Sequence, residues 1–237
     1  MSSQGVSVGK SSFKFRTPST GRGRAISGNR REILETLYNY PASSISKISR
    51  EVRLTPNTVK WHLAALKRNE YVNEERIDNR SIFYPLNFVD SVEIHMLAVL
   101  NDETCGAIFA RVHSTPGRTQ KELKEELGLT QNTAGYFLRK LTHIGALEEQ
   151  QNGKFKYYFP SKLMARKLED RRGRSMEYTG YLFSKLRSDG MEARDVEVEG
   201  SVVSFKIRYR KMEETMTFAL NPFLCLLGDR PVRGRPR

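Results

Sequence analysis

Cysteine is almost missing from this chain. Cys105 and Cys225 are the only two, which excludes a disulfide framework and any zinc site built from several thiolates of one chain. Both thiols are expected to be buried, in a reducing compartment. Long apolar runs are missing as well: no stretch of about 18 consecutive apolar residues occurs, and no signal-peptide core, so a soluble cytoplasmic protein is expected rather than a membrane-spanning one. The four histidines, His62, His95, His113 and His143, stand on separate expected elements without a carboxylate or cysteine at ligand-like spacing. No metal site is in view. Nucleophile elbows of the G-x-S-x-G type, Walker loops, glycine-rich dinucleotide turns and paired catalytic carboxylates are equally missing, so neither an enzyme nor a bound cofactor is expected. Acidic residues are in deficit, with 27 Asp and Glu against 40 Lys and Arg, a formal net charge of +13. A field of that sign attracts phosphate polyanions, which makes nucleic acid the leading partner ahead of anionic lipid.

What is present is enough for two small folded domains and tails: 237 residues, 38% of them hydrophobic and 10% aromatic. The chain also repeats itself. Leu54-Thr55-Pro56-Asn57-Thr58 aligns with Leu129-Thr130-Gln131-Asn132-Thr133, and the register of 75 residues then holds without gaps. It pairs Ile33 with Ile108, Pro41 with Pro116, Leu63 with Leu138, and the aromatic-proline pair Tyr84-Pro85 with Phe159-Pro160. Apolar spacing and turn prolines agree at one offset, so one fold is written twice.

Each copy reads as three helices and a hairpin. In the first, Ile33, Leu34 and Leu37 form the stripe of a helix that ends before Pro41. Ser44 can cap a second short helix, and Thr55 followed by Pro56 is an N-cap with proline at the first position of a third. Val59, Leu63 and Leu66 give that helix its inward stripe, leaving Asn57, Lys60, Trp61, Ala64 and Arg68 turned outward. Tyr71-Val72 and Ile82-Phe83-Tyr84 flank Asp78-Asn79-Arg80 as a strand-turn-strand. In the second copy Thr130 caps the third helix, with Ala134, Leu138 and Leu141 inside and Gln131, Asn132, Gly135, Tyr136 and Arg139 outside. Asn152-Gly153 suits a two-residue type I′ turn, with Lys154 and Lys156 just past its tip.

Thr58-Val59-Lys60-Trp61-His62-Leu63 followed by Leu66 resembles the recognition-helix motif of ArsR/MarR-like winged helix-turn-helix regulators. The duplicated arrangement resembles archaeal regulators with tandem winged helices, and the likeness covers roughly residues 29 to 160. It implies a helix in the major groove of double-stranded DNA and a wing near the backbone. In the second copy Gly135-Tyr136-Phe137 replaces Lys60-Trp61-His62, which leaves open whether that copy reads DNA or mediates pairing. The metal-sensing cysteine motif of some members is missing.

Residues 1–28, rich in Gly, Ser, Lys and Arg, read as a disordered basic arm. The tail at 229–237 contains Arg233-Gly234-Arg235-Pro236-Arg237, which resembles the AT-hook core, where Gly lets the backbone approach a narrow minor groove and Arg233 and Arg235 enter its negative potential. Between them lie a first domain at 29–86, a second at 87–160 with a linker helix, and an accessory segment at 161–228. That last segment reads as a basic helical stretch followed by a β-meander with a Glu199-Gly200 turn. The fold class is α+β, mainly α: two tandem winged helix-turn-helix domains plus a C-terminal helix and a small meander.

Sequence-specific regulation of double-stranded DNA is the leading function. The expected contacts are Asn57, Thr58, Lys60, Trp61, Arg68 and Arg80 in the first copy, with Gln131, Asn132, Tyr136, Arg139, Lys154 and Lys156 in the second. A winged-helix scaffold in a chromosome-organisation or transcription complex is the alternative, disfavoured by the cations on the outer face of the third helix. RNA is disfavoured because no aromatic strand platform is evident. Leu182, Leu186, Phe218, Phe223 and Leu224 supply apolar surface through which the accessory segment is expected to pair two chains into a homodimer, the alternative being a monomer already bivalent for DNA.

Overall fold

Capping chemistry sets where the helices start. The computed structural model describes residues 26, 28–169 and 172–228, with residues 172–176 described by backbone alone. The first copy comprises α1 (Asn29–Asn39), β1 (Ser43–Ser44), α2 (Ile45–Val52), α3 (Pro56–Arg68), β2 (Val72–Ile77) and β3 (Arg80–Pro85). A connecting helix α4 (Ser91–Leu100) opens on a reciprocal capping box between Asp90 and Glu93. The second copy comprises α5 (Glu103–Ser114), β4 (Arg118–Thr119), α6 (Gln120–Leu127), α7 (Gln131–His143), β5 (Leu147–Asn152) and β6 (Phe155–Pro160). From β1 onward every boundary of the first copy recurs 75 residues later. Thr55 accepts from the Thr58 N–H at the start of α3, and Thr130 does the same for Thr133 at the start of α7. Each satisfies one of the unpaired N–H groups that a helix start exposes.

The sheets repeat too. The strand orders are β1-β3-β2 and β4-β6-β5, all antiparallel. In the first hairpin Ile77 pairs with Arg80, and both residues between them, Asp78 and Asn79, have positive φ, as a type I′ turn demands. The second hairpin departs from expectation. Asn152 is itself paired, with Phe155, so the turn is Gly153-Lys154, and of these two only Gly153 has positive φ. The ladder is continued one residue further than the Asn-Gly signal implied.

The remainder of the described chain is α8 (Lys162–Glu169), α9 (Arg172–Ser188), a sheet of β7 (Glu192–Glu199), β8 (Val202–Tyr209) and β9 (Met212–Ala219), and α10 (Pro222–Cys225). The two helical stretches of this segment serve different copies. Met164 of α8 enters the second core with Phe109, Leu138 and Leu141. Leu182 and Leu186 of α9, with Phe205 and Phe218 of the sheet, enter the first core with Leu34, Leu37, Val59 and Leu63.

This packing ties residues 161–228, expected as an accessory or dimerising segment, to both copies of the same chain. Of the five residues expected to pair two chains, Leu182, Leu186, Phe218 and Phe223 are each at most 1% exposed inside one chain and Leu224 is half-buried, so most of that apolar surface is spent within the chain. The docking face is also specific. Tyr38 of α1 stacks on Phe218 at 4.2 Å, and its hydroxyl shares a hydrogen bond with that of Tyr178. Glu35, almost fully buried, accepts from the Thr217 N–H at 2.8 Å and from Arg31 at 2.8 Å, while Arg31 also reaches Glu214 at 2.9 Å. The Asn39 side chain accepts from the Ala219 N–H at 2.9 Å. The expected boundary of the basic arm moves as well: Ile26 is buried in the first core and the Gly28 N–H donates to Glu214, so ordered structure begins before residue 29. The rest of the arm, and the tail with Arg233 and Arg235, lie outside the described residues.

Candidate nucleic-acid interface

Helix α3 buries Val59, Leu63 and Leu66 against α1 and α2. The positions between them are thereby forced outward. Asn57, Lys60, Trp61, Ala64 and Arg68 are exposed, Trp61 by 52%. Such exposure of the only tryptophan in the chain is not a folding requirement; a large apolar ring left in water is the informative exception on a surface. Trp61 does not sit under the wing. Its ring is overlain by the Arg30 guanidinium at 5.2 Å and meets His62 edge-on at 4.8 Å. Thr58 is half-buried, and its hydroxyl is engaged with that of Thr55 at 2.8 Å, which makes it first of all part of the helix cap.

Arg30, on the first turn of α1, is a residue that sequence reasoning missed. It belongs to the outer face of α3 only through space, so no helical period marks it. Partial burial, and then the nearby charge of Arg68, lower its pKa. The same burial, with Arg30 beside it, lowers that of His62 and favours the neutral ring. Cations held close together raise the local potential, and a polyanion relieves that repulsion.

The second copy presents a different face. Tyr136, the positional equivalent of Trp61, is 53% exposed, and Gln131, Asn132 and Arg139 are exposed beside it. Gly135, expected outside, is buried: the Gln120 side chain crosses it to donate to the Gln131 carbonyl at 2.8 Å, and a Cβ at Gly135 would lie 2.9 Å from Gln120 Nε2. Glycine here permits close approach of α6 to α7. Lys140, one turn beyond Tyr136, pairs with Asp78 at the tip of the first wing at 3.3 Å. One edge of α7 is thus turned toward the first copy.

The wings differ correspondingly. Arg80, at the base of the first turn, is exposed in the cleft between that wing, α4 and α7, and forms no ion pair among the described residues. Lys154 occupies the exposed tip of the second wing, whereas Lys156 is paired with Glu149 across the hairpin at 2.7 Å. No cluster of three or more metal-ligating side chains occurs among the described residues, and no described helix is long and apolar enough to cross a membrane.

The family match falls on the first copy. Residues 26–73 match the family described as winged helix-turn-helix DNA-binding. An uncharacterised HTH-type transcriptional regulator of Methanocaldococcus jannaschii is 26% identical over 140 residues, covering 59% of this chain and 35% of the relative, so the match spans about a third of that protein's length. Among solved structures, the transcriptional regulator SlyA aligns over 38% of this chain and 75% of its own at 16% identity, with a TM-score of 0.25. A Corynebacterium diphtheriae protein aligns over 56% of this chain and 26% of its own at 11% identity, with a TM-score of 0.22. Neither score is high enough to define a shared overall architecture. Residues 26–73, with their capped helices and half-exposed α3, are thus similar to the winged helix-turn-helix DNA-binding family, and the hairpin of β2 and β3 follows directly.

Proposed function

We propose that this protein is a non-enzymatic transcriptional regulator that binds double-stranded DNA sequence-specifically, with α3 in the major groove. The observation that carries this reading is the outer face of α3. Asn57, Lys60, Trp61 and Arg68 stand exposed together on a helix whose opposite face is buried, with only the Arg30 side chain of α1 laid over the Trp61 ring. A helix seated in the major groove reads base edges with side chains near its N-terminus, which gives Asn57 and Lys60 that task. Arg68 and Arg30 serve the flanking phosphates. The recurrence of the element order at 75 residues supports a tandem arrangement, in which Gln131, Asn132 and Arg139 on α7, with Lys154 on the wing, supply a second and less specific binding surface.

The test is differential. Asn57→Ala or Lys60→Ala should weaken binding to a selected duplex by about 1–3 kcal/mol while changing binding to random duplex much less. Fluorescence anisotropy on both duplexes measures it, and equal losses on the two would remove base reading from α3. A protein scaffold is the second reading because Trp61, Tyr136 and Phe155 are all more than half exposed. Duplex affinity that neither Lys60→Ala nor Arg68→Ala disturbs would favour it.

A further inference from the structure

The outer face of α3 carries an apolar spot among its polar side chains. At about 3.6 residues per turn, Trp61 stands nearly opposite the buried stripe of Val59, Leu63 and Leu66. Ala64, three residues on and also exposed, is its neighbour on the helix surface. Along the helix, Asn57 and Lys60 precede this pair and Arg68 follows it, all three exposed. The ring is held in place. Arg30 overlies one of its faces at 5.2 Å and His62 meets it edge-on at 4.8 Å, so a contact made by its free edge costs little further side-chain ordering. In the second copy the same two positions are Tyr136 and Arg139, a phenol and a cation. The apolar spot is therefore a property of α3 and not of α7.

With α3 in the major groove, the reading proposed above and the one on which this inference rests, an apolar spot has one complement there. The polar groups that base edges present in that groove are hydrogen-bond donors and acceptors, and the apolar exception is the C5-methyl group of thymine. A cytosine methylated at C5 carries the same group, but beside it stands the N4 donor in place of the O4 acceptor of thymine. Lys60 and Arg68, which flank the spot, can only donate. They match thymine.

We infer that Trp61, with Ala64 beside it, reads the methyl group of a thymine, and that the first copy selects its duplex partly by that group. The test exchanges one methyl group at a time. A duplex selected from a random pool by the full chain is remade with each thymine in turn replaced by deoxyuridine, which keeps the base pair and O4. Anisotropy titration should find one or two positions where the exchange weakens binding by about fourfold, the contribution of one buried methyl group. Trp61→Ala should bind thymine and uracil equally at such a position, whereas Tyr136→Ala should leave the difference whole. A 5-methylcytosine·guanine pair placed there should bind more weakly than thymine·adenine. Trp61 and Tyr136 are exposed, and unchanged thermal melting followed by circular dichroism verifies that both variants fold. A scan of the unaltered chain with no sensitive thymine would overturn the inference. So would a sensitive thymine that persists in Trp61→Ala, a difference lost equally in Tyr136→Ala, or 5-methylcytosine bound as tightly as thymine. If Lys60→Ala lowers specificity while the uracil scan is flat, this inference alone fails; if no duplex is preferred over another, the reading of α3 fails with it.

Discussion

Phe218→Ala tests whether the C-terminal sheet is part of the first winged helix or an ornament on it. Phe218 is fully buried, stacked on Tyr38 at 4.2 Å and set edge-on to Phe205 and Phe88 at 6.2 and 6.3 Å. Truncating a buried phenylalanine costs about 3–5 kcal/mol, and more of that range applies where rigid rings prevent the site from collapsing. The expected loss is therefore about 4 kcal/mol, against a total stability of about 5–15 kcal/mol for an ordinary domain. Trp61 makes the location of the loss readable, because it is the single tryptophan and lies on α3, whose Val59, Leu63 and Leu66 share the first core with Phe218. Guanidinium unfolding followed by Trp61 fluorescence should show the transition moved by roughly the full amount. A shift below about 1 kcal/mol would refute the reasoning, since the sheet would then unfold without loosening the helices that carry the surface proposed to face DNA.

Two further outcomes follow from local geometry. Lys154→Ala should flatten the plot of log duplex affinity against log salt by about 0.9, the slope that one neutralised phosphate supplies, and Lys156→Ala by less because Glu149 already holds Lys156; an unchanged slope in Lys154→Ala takes the second wing off the duplex. Burial, then Glu149, push the Tyr158 phenol up to about 12, above its unfolded value of about 10. Stability from this group is thus complete below about pH 10 and is lost as pH climbs toward 12, when only the unfolded state ionises, so Tyr158→Phe should shallow the alkaline limb of the stability curve by up to about 1.4 kcal/mol per pH unit. An alkaline limb identical to that of the unaltered chain would contradict the assignment.

What could be read from the residues in order was what short-range chemistry decides. Thr55-Pro56 and Thr130 mark helix starts because a side-chain oxygen three residues from an unpaired N–H needs no tertiary partner. The stripe Val59, Leu63, Leu66 fixes the inward face of α3, and with it the outward set. The misplaced turn shows the limit of such reasoning: Asn152-Gly153 has the right turn chemistry, yet strand pairing extends through Asn152 and moves the turn to Gly153-Lys154. At the end of α2, Arg53 holds the left-handed conformation that Gly128 holds after α6, so the signal present in one copy is absent from the other. Least legible was the docking of the C-terminal sheet. Glu35 and Thr217 meet across 182 residues, and nothing periodic distinguishes a stripe that packs on its own chain from one that packs on a second copy. Arg30 escaped notice for the same reason, being brought to Trp61 by the fold alone.

The two copies, equal in element order, are unequal in what they leave exposed, and the inequality has a local cause. Position 60 carries an exposed lysine, whereas its equivalent, Gly135, lies under Gln120. Position 65 is Ala in the first copy and its equivalent is Lys140, which reaches Asp78 of the first wing. One helix therefore keeps its whole outer face for a partner and the other spends an edge on its neighbour. On the proposed function, base reading is concentrated in α3, and the second copy both adds phosphate binding and sets the orientation of the first wing. The C-terminal sheet completes that division, because Glu35, Arg31 and Tyr38 tie α1 to β9 while Asn57, Lys60, Trp61 and Arg68 stay exposed, stiffening the first copy without masking the residues assigned to the duplex.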